Sequence, residues 1–359
     1  MSNAYQAVQW NRHKRNYDFA LIAFIVLYNV GFLVLTGITH APPNDLGPPP
    51  VLIMRATATC AFLMLHMILM IGPLARLSPR FAPLLYNRRH FGVMMFCVAL
   101  IHSFVALSFY HGLGDSNPIW SLFTANERYD SLAQFPFQVL GFAALLILFL
   151  MAATSHDYWL KNLGAGVWKA LHMLVYVAYV LLIMHVALGA LQSEVSTVYV
   201  VLTGVGIVTV AGLHLAAGMH ESRADAGGIA PSQWMRVGSV DDIQPDRALV
   251  VKIKGCERVA IYRHNNKISA ISNVCAHQGG PLGEGKIVNG CLTCPWHGYQ
   301  YKVEDGQSPP PFTEKVPTYR VKLDGRNILL DPEALPPGTP VDPAVIDAAT
   351  IATEESSSV

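Results

Sequence analysis

Six long apolar runs fill this chain up to residue 218, near 17–38, 51–72, 90–110, 135–155, 168–190 and 197–218. Each is long enough to cross about 30 Å of hydrocarbon as a helix. Breakers separate them: Pro42-Pro43 and Pro48-Pro49-Pro50, then Gly72-Pro73 through Pro83, then Gly112 through Pro118. Only 14% of the 359 residues are charged, against roughly a quarter in soluble proteins, and the deficit lies before residue 220. The expected fold is therefore an α-helical transmembrane bundle of six helices (17–218), preceded by a cytoplasmic segment (1–16) and followed by a soluble appendage. The first run lacks a small-residue cleavage site and reads as an anchor. A formal net charge of +1 argues against a nucleic-acid partner.

Loop charges orient the bundle. Arg12, Lys14 and Arg15 precede the first run, Arg76, Arg80, Arg88 and Arg89 follow the second, and Lys161 and Lys169 follow the fourth. The opposite side carries Arg128 among Asp115, Glu127 and Asp130, with Glu194 in the last turn. Both termini and the appendage are expected on the cytoplasmic side of a cell membrane.

Ionisable residues at membrane depth are costly and usually functional. His66, His102, His172, His185 and His214 all fall inside the runs. His172 and His185 are thirteen residues apart, a rise of about 20 Å along a helix. That suits two b-type haems, one near each membrane surface. By depth, His102 and His185 lie in the outer half and can clamp one haem. His172 lies in the inner half, where His66, His90 or His214 could be its partner. The alternative for a lone intramembrane histidine is a hydrogen bond to a neighbouring helix.

The stretches RRHFGVMMFCVALIH (88–102) and WKALHMLVYVAYVLLIMH (168–185) resemble the ferric reductase-like transmembrane family, including its haem-binding membrane subunits. The likeness covers most of 17–218. It implies that His102, His172 and His185 are haem ligands. His66 rests on depth alone, and His90 falls where the bacterial haem-subunit pattern has an apolar residue.

The soluble part carries Cys275-Ala-His277 and, sixteen residues later, Cys294-Pro-Trp-His297. A thiolate and an imidazole arrive from each of two loops. That donor set suits a [2Fe–2S] cluster with two Cys on one iron and two His on the other. A Cys₂His₂ zinc site would ordinarily open with C-x₂₋₄-C. Gly279-Gly280-Pro281 and Gly298 let the loops fold tightly and aim N–H groups at the cluster. Short β-patterned runs surround them: Ala248–Ile253, Arg258–Tyr262, Ile268–Ser272, Tyr319–Leu323 and Ile328–Leu330. The segment 234–332, with CAHQGGPL, CPWHGYQY and PPPFTEKVPTYRVKLDGRNILL, resembles the Rieske family, which implies a small all-β domain. Gly280 and Trp296 stand where respiratory members pair two cysteines. Tyr299 stands where those members have a serine donor, although the later tyrosine is present as Tyr301. The likeness is therefore to the ferredoxin and ring-hydroxylating type, and a potential below the respiratory range is expected. Residues 219–233 read as a linker and 333–359 as a disordered tail.

These features together predict a membrane electron-transfer protein, an oxidoreductase component with one [2Fe–2S] cluster and two haems. Single electrons pass between the cytoplasmic cluster and the membrane haems, toward an outer-face acceptor. The donor is a cytoplasmic reductase, a ferredoxin or a quinol. Nothing in the chain resembles a flavin or nicotinamide site. The residues beyond the β domain are too few for the mononuclear iron domain of an oxygenase. Two other readings are a redox-sensing or structural subunit and a quinone-linked reductase.

Overall fold

The computed structural model describes residues 12–39, 48–85, 87–193, 197–277, 279–296 and 298–346. The principal helices are α1 (Arg12–Thr39), α2 (Pro49–Leu77), α3 (Arg88–His111), α4 (Phe137–Ala153), α5 (Asp157–Met173), α6 (Val175–Leu188) and α7 (Thr197–Ala226). Five spans are long and apolar enough to cross a membrane: Lys14–Ile38, Pro49–Leu77, Arg88–His111, Gly166–Gln192 and Tyr199–Arg223. The expected count of six is not matched. The remaining apolar helix, α4, has 17 residues, about 25 Å of helix. Pro136 precedes it, and Thr154 and Ser155 return hydrogen bonds to Leu150 and Met151 at its end.

α2 is the central helix, with 56% of its span buried against 6–22% for the other four. Its Cys60, Met64, Leu65 and Leu69 pack with Val98 of α3, Ala144 and Leu148 of α4, Ala178 of α6 and Val210 of α7. Phe19, Leu27, Phe104 and Val208 point outward and are at least 70% exposed, which suits an apolar solvent.

Three helix boundaries differ from the sequence expectation. The fifth run is not one regular helix. It is interrupted at Leu174, whose N–H turns to the Leu171 carbonyl three residues back. His172 and His185 therefore sit on α5 and α6, on either side of that tightened turn. α5 also starts at Asp157, before the apolar run. The last helix continues through HESRADA to Ala226, so the linker beginning at 219 is largely helical. Its Glu, Arg and two Ala residues favour helix, and Glu221 meets Arg76 of α2 at 3.9 Å.

The β domain contains three small antiparallel sheets. They are built from β1 (Met235–Ser239), β2 (Ala248–Val251), β3 (Val259–His264), β4 (Lys267–Ser272), β5 (Lys286–Val288), β6 (Cys291–Thr293), β7 (Gln300–Tyr301), β8 (Thr318–Tyr319), β9 (Val321–Asp324), β10 (Asn327–Leu330) and β11 (Ala344–Val345). Their orders are β1-β10-β9, then β11-β4-β3-β2 with β8 also on β4, then β5-β6-β7. β3 is buried on both faces. Val259 and Ile261 enter a core with Ile268, Ile328 and Leu330, whereas Ala260 and Tyr262 enter one with Ile271, Leu282, Leu292 and Tyr301. The second core lies behind the two cysteine loops and continues onto Leu163 and Trp168 of α5.

The expected tail is corrected for its first part. Residues 333–346 belong to the domain: β11 pairs with β4 (Ala344 opposite Ile268), and Ile346 is buried. Leu335 and Val341 donate backbone N–H groups to the Thr318 and Glu304 carbonyls. The proline-rich composition hides this, because a strap held by backbone hydrogen bonds and one buried isoleucine has no periodicity. Residues 347–359 lie outside the described set.

Candidate cluster and haem sites

The two cysteine loops close in the same way. After β4, the Cys275 N–H donates to the Gly280 carbonyl at 2.9 Å, and the Gly279 N–H returns to the Cys275 carbonyl at 2.7 Å. After β6, the Cys294 N–H donates to the Tyr299 carbonyl at 2.7 Å, and the Gly298 N–H returns to the Cys294 carbonyl at 2.9 Å. Gly279 and Gly298, each four residues after its cysteine, sit at φ +73° and +72°, the left-handed conformation that glycine adopts without strain. The loops face each other closely: a Cβ on Gly280 would lie 2.9 Å from the Cys294 Sγ.

Cys275, Cys294 and His277 are all buried. His297 lies outside the described residues. Burial first, then the Arg89 cation and His172, push the His277 imidazole down to about 3, so it is neutral and keeps a lone pair for a metal. Among the described residues no group of three or more His, Cys, Asp or Glu side chains converges on one point. A [2Fe–2S] centre with two ligands per iron does not require such a group.

Two tyrosines shape the site differently. The Tyr299 ring stacks on His277 (5.1 Å, 23°), and its hydroxyl donates to the Glu314 carboxylate, so it is committed away from the cysteines. The Tyr301 hydroxyl lies 3.4 Å from the Cys275 Sγ. Burial and the neighbouring Cys275 hold its phenol well above the usual range, so it stays protonated and can donate to a thiolate. A donor to sulfur favours the reduced cluster and raises its potential. Each ~1.4 kcal/mol of differential stabilisation is ~59 mV for one electron. Tyr301→Phe is expected to lower the potential by some tens of millivolts in an EPR-monitored redox titration. An unchanged potential would exclude this role.

In the bundle, five histidines share one arrangement, and one of them is His214, whose Nδ1 faces the Val210 carbonyl at 2.9 Å. The Nδ1 atoms of His66, His102, His172 and His185 face the carbonyls of Phe62 (2.7 Å), Met54 (3.1 Å), Trp168 (2.9 Å) and Phe137 (2.8 Å). A carbonyl can only accept, so each Nδ1 carries the proton and each Nε2 keeps its lone pair, as in metal-binding imidazoles. The Nε2 atoms of His66 and His172 are buried and have no hydrogen-bond partner among the described residues. A buried polar atom left so costs about 1–3 kcal/mol. The rings of His102 and His185 are 6.5 Å apart at 80°. Glycines make room for these rings, since a Cβ at Gly206 would strike His66 and one at Gly141 would lie 2.7 Å from His185. His102 and His185 stand close enough that they could hold one haem between them, and His66 and His172 each keep a buried Nε2 that could bind another.

The rival inner ligands are engaged elsewhere. His90 meets the Asp18 carboxylate at 2.9 Å, and the His214 Nε2 meets the Tyr176 hydroxyl at 3.1 Å. Sequence reasoning did not single out Trp168, which lies between the two sites. Its indole stacks on His172 (3.5 Å, 20°) and stands 5.4 Å from His277. The only sequence signal was an aromatic residue one turn before a histidine.

A family model described as ferric reductase like transmembrane component matches residues 55–183. A second, the Rieske [2Fe-2S] domain, matches residues 233–320. The protein-methionine-sulfoxide reductase heme-binding subunit of Herminiimonas arsenicoxydans is 35% identical over 40% of this chain and 61% of its own length. The chain thus spans about three fifths of that relative, and 20% of the cholesterol 7-desaturase of Ciona intestinalis, which is 33% identical over 25% of this chain. The ferredoxin component of the alkene monooxygenase system of Xanthobacter autotrophicus is 29% identical over 33% of this chain and 94% of its own. The chain joins a ferric reductase-like transmembrane domain to a Rieske [2Fe–2S] domain.

Proposed function

We propose that the protein passes single electrons across a membrane, between a [2Fe–2S] cluster on Cys275, His277, Cys294 and His297 and two b-type haems on the His66/His172 and His102/His185 pairs. Both cofactors supply reversible one-electron chemistry, so the chain itself needs no acid, base or nucleophile. Its residues hold the ligands in fixed tautomers, bury them, and bring the two halves together. The observation that carries the reading is the junction, where a cluster ligand and an inner haem ligand flank one indole.

The charge pattern supports a cytoplasmic β domain: Arg76 and Arg89 lie at the end of the bundle that meets it, beside Trp296 and His277. α4 acts as a sixth, short span, which a bilayer accommodates by local thinning at modest cost. Electrons enter from a soluble reductase, a ferredoxin or a quinol, and leave toward an acceptor on the outer face. The heme-binding subunit and the ferredoxin component named above support the membrane half and the soluble half respectively.

Stopped-flow mixing of the purified, oxidised protein with a reduced ferredoxin tests this. Cluster reduction followed by haem reduction on a millisecond-to-second scale is expected. A reduced cluster beside permanently oxidised haems would sink the proposal and leave a redox-sensing subunit.

A further inference from the structure

Resting on the electron-carrier reading, we propose that Trp168 is the coupling residue between the two redox halves. Its indole is the medium through which the His277 edge of the cluster and the His172 edge of the inner haem site exchange electrons.

Trp168 belongs to α5 by sequence and to the β domain by packing. It is 2% exposed and shares a buried cluster with Cys275, Leu282, Cys294 and Tyr299. His172 follows one helical turn later, which places its ring directly over the indole at 3.5 Å. The indole centroid also lies 5.4 Å from that of His277, and Tyr299 backs that imidazole in turn. The indole N–H donates to the Thr154 carbonyl at 2.7 Å, which locks the rotamer. A residue needed only to fill this space could be any large apolar side chain. Here a planar ring bridges one candidate ligand from each half.

The domain is held in place by more than this residue. Trp296 packs against both the helical core and the β core, and Arg76 lies 5.8 Å over its ring. The Arg258 guanidinium reaches the Glu221 carbonyl at 3.4 Å. Loss of the indole therefore need not undock the domain.

The Arg89 guanidinium sits 5.3 Å over the Trp168 ring. A cation on that face raises the cost of removing an electron from the indole. Trp168 thus begins and ends neutral and mediates the transfer without being oxidised. With cluster and haem bound, the one electron given up at the cluster would be the one gained at the haem, so the exchange balances without a further oxidant or reductant. No bond breaks and no proton moves.

The test uses full-length protein with all cofactors loaded. A deazaflavin flash injects single electrons, and the haem absorption band reports cluster-to-haem equilibration. Trp168→Leu is expected to slow this about tenfold or more, equivalent to at least ~1.4 kcal/mol on the barrier. Haem content, cluster EPR line shape, both sets of potentials and the relaxation of the cluster signal by nearby ferric haem should stay as in wild type. Trp168→Phe should fall between Leu and wild type. A wild-type rate in Trp168→Leu overturns the proposal. So does a slow rate accompanied by loss of the haem-induced relaxation, because Trp168 would then only dock the domain. Should Trp168→Leu not assemble, Trp168→Phe carries the test, with a severalfold slowing expected and a wild-type rate overturning the assignment. Absence of cluster-to-haem exchange in the wild type defeats the electron-carrier reading itself.

Discussion

Cys275→Ser is expected to abolish the reduced-state EPR signal of the [2Fe–2S] cluster and leave the haem optical spectrum nearly unchanged. The loss should be complete, because a serine hydroxyl stays protonated at neutral pH and is a hard, poor ligand where a soft thiolate is required. The fold should survive, because the loop is closed by backbone groups. The Cys275 N–H and carbonyl make the hydrogen bonds to Gly280 and Gly279, and neither involves sulfur. A serine hydroxyl can still pair with Tyr301, so no buried polar group is stranded. The haem sites should be insensitive, because the contact between the halves is aromatic packing of Trp168 and Trp296, which does not depend on the cluster. Acid-labile sulfide and EPR measure the first effect, and the reduced-minus-oxidised optical spectrum measures the second. A retained EPR signal would remove Cys275 from the ligand set. A collapsed haem spectrum would mean that the helical half relies on the cluster for its own structure.

The parts of this molecule that chemistry dictates locally were legible in the sequence. A cysteine, a glycine four positions later and a histidine between them recur twice, and both loops adopt the same closure. The apolar runs mark their helices because hydrocarbon leaves the backbone no other means of satisfying itself. Features that depend on neighbours were hidden. The turn at Leu174 has neither Pro nor Gly to announce it. The strap 333–346 is held by hydrogen bonds to Thr318 and Glu304, which composition does not encode. His66, His90 and His214 were equivalent by depth, and only their partners separate them: His66 and His214 both turn Nδ1 to a carbonyl, but the His214 Nε2 meets a tyrosine hydroxyl, and His90 meets a carboxylate. Trp168 reads in sequence as an ordinary packing residue. Its place between two imidazoles exists only once the β domain folds back onto α5.

The separation of those three histidines leads to the second large effect. His66→Ala and His172→Ala should each remove the same one of two haems, and His102→Ala and His185→Ala should each remove the other. The pyridine haemochrome content is expected to fall from two per chain to about one in every single variant. Combining one residue from each pair should leave no haem, since the sites share no ligand. The cost arises at the metal: disturbing a group that merely orients a ligand loses about 10–100-fold in metal affinity, and deleting the ligand itself loses more. Protein stability should change in the opposite sense at the inner site. His66→Ala removes a buried Nε2 that has no partner among the described residues, and so relieves about 1–3 kcal/mol that apoprotein must bear. The substitution also opens a cavity beside Phe62 and Tyr179, so the gain is partly offset. His90→Ala and His214→Ala are the controls, because their imidazoles are already committed to Asp18 and Tyr176 and should leave both haems in place. Two haems in His66→Ala together with one in His214→Ala would transfer the inner site to His172 and His214, and the hydrogen-bond argument for His66 would fail.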